Sequence, residues 1–162
     1  MGSCGPGAGA LMPTPLVVSD ASVLLRWVLP SENEPEVDQA LLLRRAIVAD
    51  VVRAIVPPLW LYEVGNTIAR CFPAQACAWL TAMMKFGLEE AAPSASWPAA
   101  VLELTRAHRV TFYDAADHAL AISRKGVCVT TGVRYADQNA GEGSVVALCD
   151  WKPPARSRGS RR

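Results

Sequence analysis

The sequence predicts an α/β fold, a three-layer α/β/α sandwich around a mainly parallel central sheet. Three observations carry this. Short apolar runs of strand length alternate with longer segments of helical period. The runs are apolar throughout rather than alternating, as strands covered on both faces require. The 162 residues are 51% hydrophobic and 19% charged, which suits one packed core rather than a disordered chain.

The elements follow in order. The run Leu16-Val17-Val18 closes at Ser19-Asp20 and reads as a buried strand, followed at once by a helix over 21–29 that Pro30 stops. Residues 31–35 form a polar loop. A helix over about 36–53 carries the stripe Val37, Ala40, Leu41, Ile47 and Val51. Ala54-Ile55-Val56 is the second strand, and Pro57-Pro58 suit the first turn of a helix to about residue 71. Pro73 ends it, a further helix spans 74–85, and 86–92 can hold a short strand. Helix 97–108 precedes a short strand at 110–112, a helix over about 115–124 and the stop signal Lys125-Gly126. Strand 127–130, a short helix over 134–140 and strand 144–148 complete the domain, 16–151.

The ends have a different character. Residues 1–15, rich in Gly, Pro and Ala, read as a disordered leader without the basic and apolar regions of a signal peptide. Met12 is an alternative start. Residues 152–162 read as a basic flexible tail. No apolar run approaches a membrane span. The net charge of +1 supplies no global field toward nucleic acid, so RNA contact must come from local patches. Five cysteines, odd in number and without a C-x-x-C pair, favour neither a disulfide framework nor a zinc site. Cys128 and Cys149 read as small core residues, and a reducing cytoplasm is the simplest compartment.

In a parallel sheet the ligand site lies beyond the carboxyl ends of the strands. Asp20 and Asp114 each follow a strand and start a helix, and Glu63 lies one turn into another. Convergent carboxylates repel one another, and a hard divalent cation such as Mg²⁺ or Mn²⁺ offsets that cost. An activated water on such an ion attacks phosphodiesters. The alternatives are structural. Asp20 and Asp114 are each a good helix N-cap, Asp114 with Asp117 resembles a capping box, and Glu63 with Asn66, Thr67 and Arg70 fits a solvated face. Ser22, Thr130 and Thr131 suit hydrogen bonds to the carboxylates as well as ordinary caps. His108 and His118 read as surface or packing residues, with His118 directed away from Asp114. Arg26, Arg70 and Arg134 either border the cleft or face solvent. Trp60, Tyr62 and Trp79 either pack the core or form a dimer face.

The motifs Val17-Val18-Ser19-Asp20-Ala21-Ser22-Val23, Pro57-Pro58-Leu59-Trp60-Leu61-Tyr62-Glu63-Val64-Gly65-Asn66 and Thr111-Phe112-Tyr113-Asp114-Ala115-Ala116-Asp117 stand in that order. Together they resemble the PIN domain, and specifically the VapC-like toxin ribonucleases of type II toxin–antitoxin pairs. The resemblance spans about residues 16 to 151. It implies that Asp20, Glu63 and Asp114 bind Mg²⁺ or Mn²⁺ and orient a water, with Asn66 helping to orient Glu63. It further implies RNA cleavage, a homodimer, and an antitoxin whose tail enters the cleft. The family's fourth acid, expected after Val129-Thr130-Thr131, is replaced by Gly132. Asp117 is the first candidate to substitute, against completion of a helix cap, and Asp137 is a poorer one. A degenerate PIN protein that binds RNA or a partner without cleavage is the rival reading. A phosphatase-like enzyme with an Asp nucleophile ranks lower, because no second aspartate follows Asp20 closely.

Overall fold

The computed structural model of the chain describes residues 13–29 and 36–155. Most of the expected leader, the loop 31–35 and the arginine-bearing end of the expected tail therefore lie outside the described residues. The elements are β1 (Leu16–Ser19), α1 (Ala21–Leu25), α2 (Glu36–Val48), β2 (Arg53–Val56), α3 (Trp60–Cys71), α4 (Ala76–Met84), β3 (Glu89–Glu90), α5 (Trp97–His108), α6 (Phe112–Arg124), β4 (Val127–Thr130), α7 (Val133–Asn139) and β5 (Val145–Ala147). A single 3₁₀ turn, Ala140–Glu142, links α7 toward β5.

The five strands are all parallel, in the order β3-β2-β1-β4-β5. Successive strand residues face opposite layers, because side chains alternate across a strand. Val17, Val56 and Val129 pack with Leu24, Leu43, Val64 and Ile68 from α1, α2 and α3. Their neighbours Val18, Ile55 and Cys128 pack on the other face with Leu120 and Ala136 of α6 and α7. Helix α5 lies outside α6, through Val101 against Ala115, Ala116 and Ala119. The result is the three-layer α/β/α sandwich.

Four local expectations are corrected. Helix α2 ends at Val48 rather than near residue 53, because Asp50 turns left-handed at φ 52 and the Val51 N–H returns to the Ala46 carbonyl. The two β-branched residues at 51 and 52, stiff in χ1, then lead into β2. Pro57 and Pro58 lie in the turn before α3 instead of its first turn. Residues 110–112 form no strand. Arg109 caps α5 in the left-handed region at φ 54 and Thr111 already caps α6, so no room for a strand remains between them. Cys149 is exposed in the turn after β5, whereas Cys128 is buried as expected. Of the aromatic residues, Trp60 is buried, Trp79 half-buried and Tyr62 75% exposed. No helix among the described residues is long and apolar enough to cross a membrane.

Candidate functional site

The strand order places a topological switch point between β1 and β4. The chain leaves β1 toward β2 and β3 on one side, then crosses to β4 and β5 on the other. Such a divergence opens a crevice at the carboxyl ends of the two central strands. Asp20 follows β1 there, Thr130 ends β4, and Thr131 and Gly132 follow it.

Asp20 is only 6% exposed. Its N–H donates to the Val129 carbonyl at 3.1 Å, which extends the β1–β4 ladder by one residue. Its carboxylate accepts the Ser22 N–H at 2.8 Å and the Thr130 hydroxyl at 2.6 Å. Asp20 is therefore the N-cap of α1 and also a buried acid tied to the neighbouring strand. The Thr130 hydroxyl in turn accepts the Gly132 N–H at 3.0 Å, and the Ser22 hydroxyl accepts the Thr131 N–H at 3.3 Å. All three hydroxyl residues singled out from the sequence thus join the two strand ends, Thr131 through its backbone. Burial raises the Asp20 pKa, opposed by the bonds from Thr130 and Ser22 and reinforced by the charge of Asp114.

Glu63 reaches the same region from the first turn of α3 and is half-buried. Burial, then the charges of Asp20 and Asp114, push its pKa up to about 7. Asp114 is not the cap of α6. Thr111 is, and Asp114 completes the capping box at N3. The Asp114 carboxylate accepts the Thr111 hydroxyl at 2.7 Å and the Thr111 N–H at 3.3 Å.

Asp117 lies one turn further along α6 and is 4% exposed. It takes no part in the cap, which corrects that expectation, and no hydrogen bond to its carboxylate occurs among the described residues. Burial drives its pKa well above the ordinary carboxylate value, and the charges of Asp20, Glu63 and Asp114 add to the rise. Acidic charges thus act on Asp20, Glu63 and Asp117, Asp114 on all three, and no cation of the described residues figures among those influences. Among the described residues, however, no three His, Cys, Asp or Glu side chains group closely enough to hold a metal ion.

Other candidates fall outside this group. Asp137 is exposed on α7 and does not figure among the charges acting on the acids. Arg26 pairs with Glu36 at 3.3 Å, while Arg70 and Arg134 are exposed. His118 is fully buried rather than at the surface. Its ring meets the Tyr135 hydroxyl at 2.6 Å and the Ser144 hydroxyl at 2.8 Å, away from Asp114 as its helix position requires. Tyr135 and Ser144 had no sequence signal, since their relation to His118 is made only by packing α7 and the approach to β5 against α6.

The fold and these residues define a parallel α/β domain with an acidic switch point. No protein-family model matches the chain, and no curated protein matches it either.

Proposed function

We propose that the chain is a PIN-type, divalent-metal-dependent endoribonuclease of the VapC-like toxin class. The observation that carries this reading is the acidic switch point. Burial and neighbouring acids raise the proton affinity of Asp20, Glu63 and Asp117, with Asp114 among the charges acting on all three and no cation of the described residues among them. Mutual repulsion and desolvation of this kind are what a hard, oxygen-seeking cation relieves. The donor set is entirely carboxylate and hydroxyl oxygen, which suits Mg²⁺ or Mn²⁺ rather than zinc.

Asp20, Glu63 and Asp114 would hold the ion, with Asp117 assisting. When bound, such an ion would supply an activated water and charge stabilisation at the phosphoryl oxygens. The residues of the chain do the positioning. Thr130 and the Ser22 N–H fix both oxygens of Asp20. Thr111 fixes one oxygen of Asp114 through the cap. Glu63, its pKa pushed up to about 7, would exchange a proton for the ion near neutral pH. This reading brings with it a cytoplasmic homodimer inhibited by an antitoxin, and the exposed Tyr62 and Met84 on α3 and α4 offer apolar surface to a second copy.

One observation favours the rival, a degenerate PIN protein that binds RNA or a partner without cutting. Gly132 offers no ligand where the family carries its fourth acid, and the remaining acids do not group as a ready metal site. Calorimetric titration of Mn²⁺ separates the two, followed by cleavage of a labelled RNA pool. The nuclease predicts binding and cleavage that the triple variant Asp20→Asn, Glu63→Gln, Asp114→Asn loses. Wild-type protein indistinguishable from that variant in both assays sinks the nuclease.

A further inference from the structure

A second polar feature adjoins the acids. Between the α5–α6 corner and α7 lies a cleft of about 650 Å³ lined by His108, Arg109, Gly132, Arg134, Tyr135 and Gln138, among others. It touches the acidic site through Gly132, whose N–H is bonded to the Thr130 hydroxyl that holds Asp20. Its size is that of a pocket for a small organic ligand, roughly 300–1,000 Å³. Both arginines are exposed, and neither pairs with a carboxylate among the described residues. Arg109 also holds a left-handed backbone, φ 54, where glycine or asparagine is the usual residue. That conformation carries a strain cost for a long side chain.

We propose that this cleft is a phosphate subsite for single-stranded RNA, in which Arg109 and Arg134 neutralise backbone phosphates on the strand running away from the acids. The inference rests on the nuclease reading and deepens it. The charge order favours it: carboxylates at the switch point, then two exposed arginines, without a carboxylate partner among the described residues, lining the same cleft as Gly132. A guanidinium fork matches phosphate oxygens two at a time. With a net charge of only +1, the chain needs such a local patch to hold a polyanion.

The test is fluorescence anisotropy with a labelled ten-nucleotide oligouridylate in EDTA, over a salt series, with the full chain. EDTA removes metal and cleavage from the readout. The double variant Arg109→Asn, Arg134→Gln keeps a residue suited to the left-handed position. It is expected to bind on the order of tenfold more weakly, and to lower the slope of log affinity against log salt by about 1.4, since each single-strand phosphate contact contributes about 0.7. Lysine at both positions is expected to restore most of the slope. Arg45→Gln, on α2 in the opposite layer, is expected to leave it unchanged. An unchanged slope in the double variant overturns the proposal. So does loss of binding to an oligoglutamate peptide with RNA binding retained, which would assign the cleft to an acidic peptide. RNA binding that follows the arginines in a protein that never cleaves upholds the subsite and refutes the nuclease. Cleavage with normal binding by the double variant does the reverse.

Discussion

The end of β1 and the first two turns of α6 carry the same kind of sequence, an aspartate at the start of a helix, yet the fold uses them differently. Asp20 caps α1 with one carboxylate oxygen and bonds Thr130, on the adjacent strand, with the other. Asp114 is bonded within its own turn by Thr111 and is half-buried. Asp117, only three residues later, is buried and takes no bond from the cap. Local spacing treats these acids as equivalent. Burial and strand order separate them into a held acid, a capping acid and an acid at odds with its surroundings. A cap and a metal ligand are also compatible roles, because a carboxylate has more lone-pair sites than one cap requires.

The largest expected effect tests the held acid. On the nuclease reading, Asp20→Asn lowers Mn²⁺-dependent RNA cleavage by more than about 100-fold, beyond the roughly 10- to 100-fold expected of Thr130→Val, which removes only a ligand's hydrogen-bond partner. Steady-state cleavage rates at saturating Mn²⁺ check the order. Equal losses would mean that Asp20 acts only through its bond to Thr130.

The second effect sets Asp114 against Asp117 with opposite signs. Without metal, Asp114→Ala is expected to cost about 1 kcal/mol through loss of the capping box. Asp117→Asn is expected to stabilise by about 1 kcal/mol, because it removes a buried acid that other acids oppose. Urea melts in EDTA measure both. Destabilisation by Asp117→Asn would break the contrast.

The third concerns pH. Glu63 rises from an ordinary 4.5 to about 7 in the folded chain, and Asp20 and Asp117 shift in the same direction. Between these values the folded state binds more protons than the unfolded one, so stability falls as pH rises. In EDTA the Tm is therefore expected to drop by a few degrees from pH 5 to pH 7.5, and Glu63→Gln to flatten the fall. A Tm that rises over this range contradicts the burial of these acids.

The smallest effect is at Gly132. Its φ of −75° is open to any residue, and an added Cβ would lie 3.3 Å from the Thr130 hydroxyl oxygen. Gly132→Asp is thus expected to change stability by no more than about 1 kcal/mol. It places a carboxylate beside the group that holds Asp20, and Mn²⁺ affinity measured by calorimetry is expected to rise roughly tenfold with the added ligand charge. An unchanged affinity would separate position 132 from the metal reading.

Much of the fold was legible because its signals are local. Val17-Val18 and Val127-Cys128-Val129 are strand-length apolar runs, and their near-continuous hydrophobicity reports burial on both faces. The limits of α5 agree with the structure residue for residue. The errors fell where two local preferences compete. Val110-Thr111-Phe112 has β-forming residues, but the Thr111 hydroxyl and the left-handed Arg109 spend them on two helix ends. Val51 continued the apolar stripe of α2 past the left-handed Asp50 that ends it.

By itself the sequence determined the alternation of strands and helices, and so the layered parallel sheet. It also determined that Asp20 stands between a strand and a helix and that Glu63 and Asp114 lie near helix starts. These follow from periodicity, turn chemistry and the rule that parallel sheets carry their sites at strand ends. Only the tertiary structure decided that Asp20 is buried and tied to Thr130, that Asp117 lies inside rather than on a cap, and that His118 meets Tyr135 and Ser144. It alone set Arg109 beside Arg134. The physical reason is range. Capping and periodicity act within a few residues, whereas burial, mutual repulsion of carboxylates and a shared cleft depend on segments brought together by strand order.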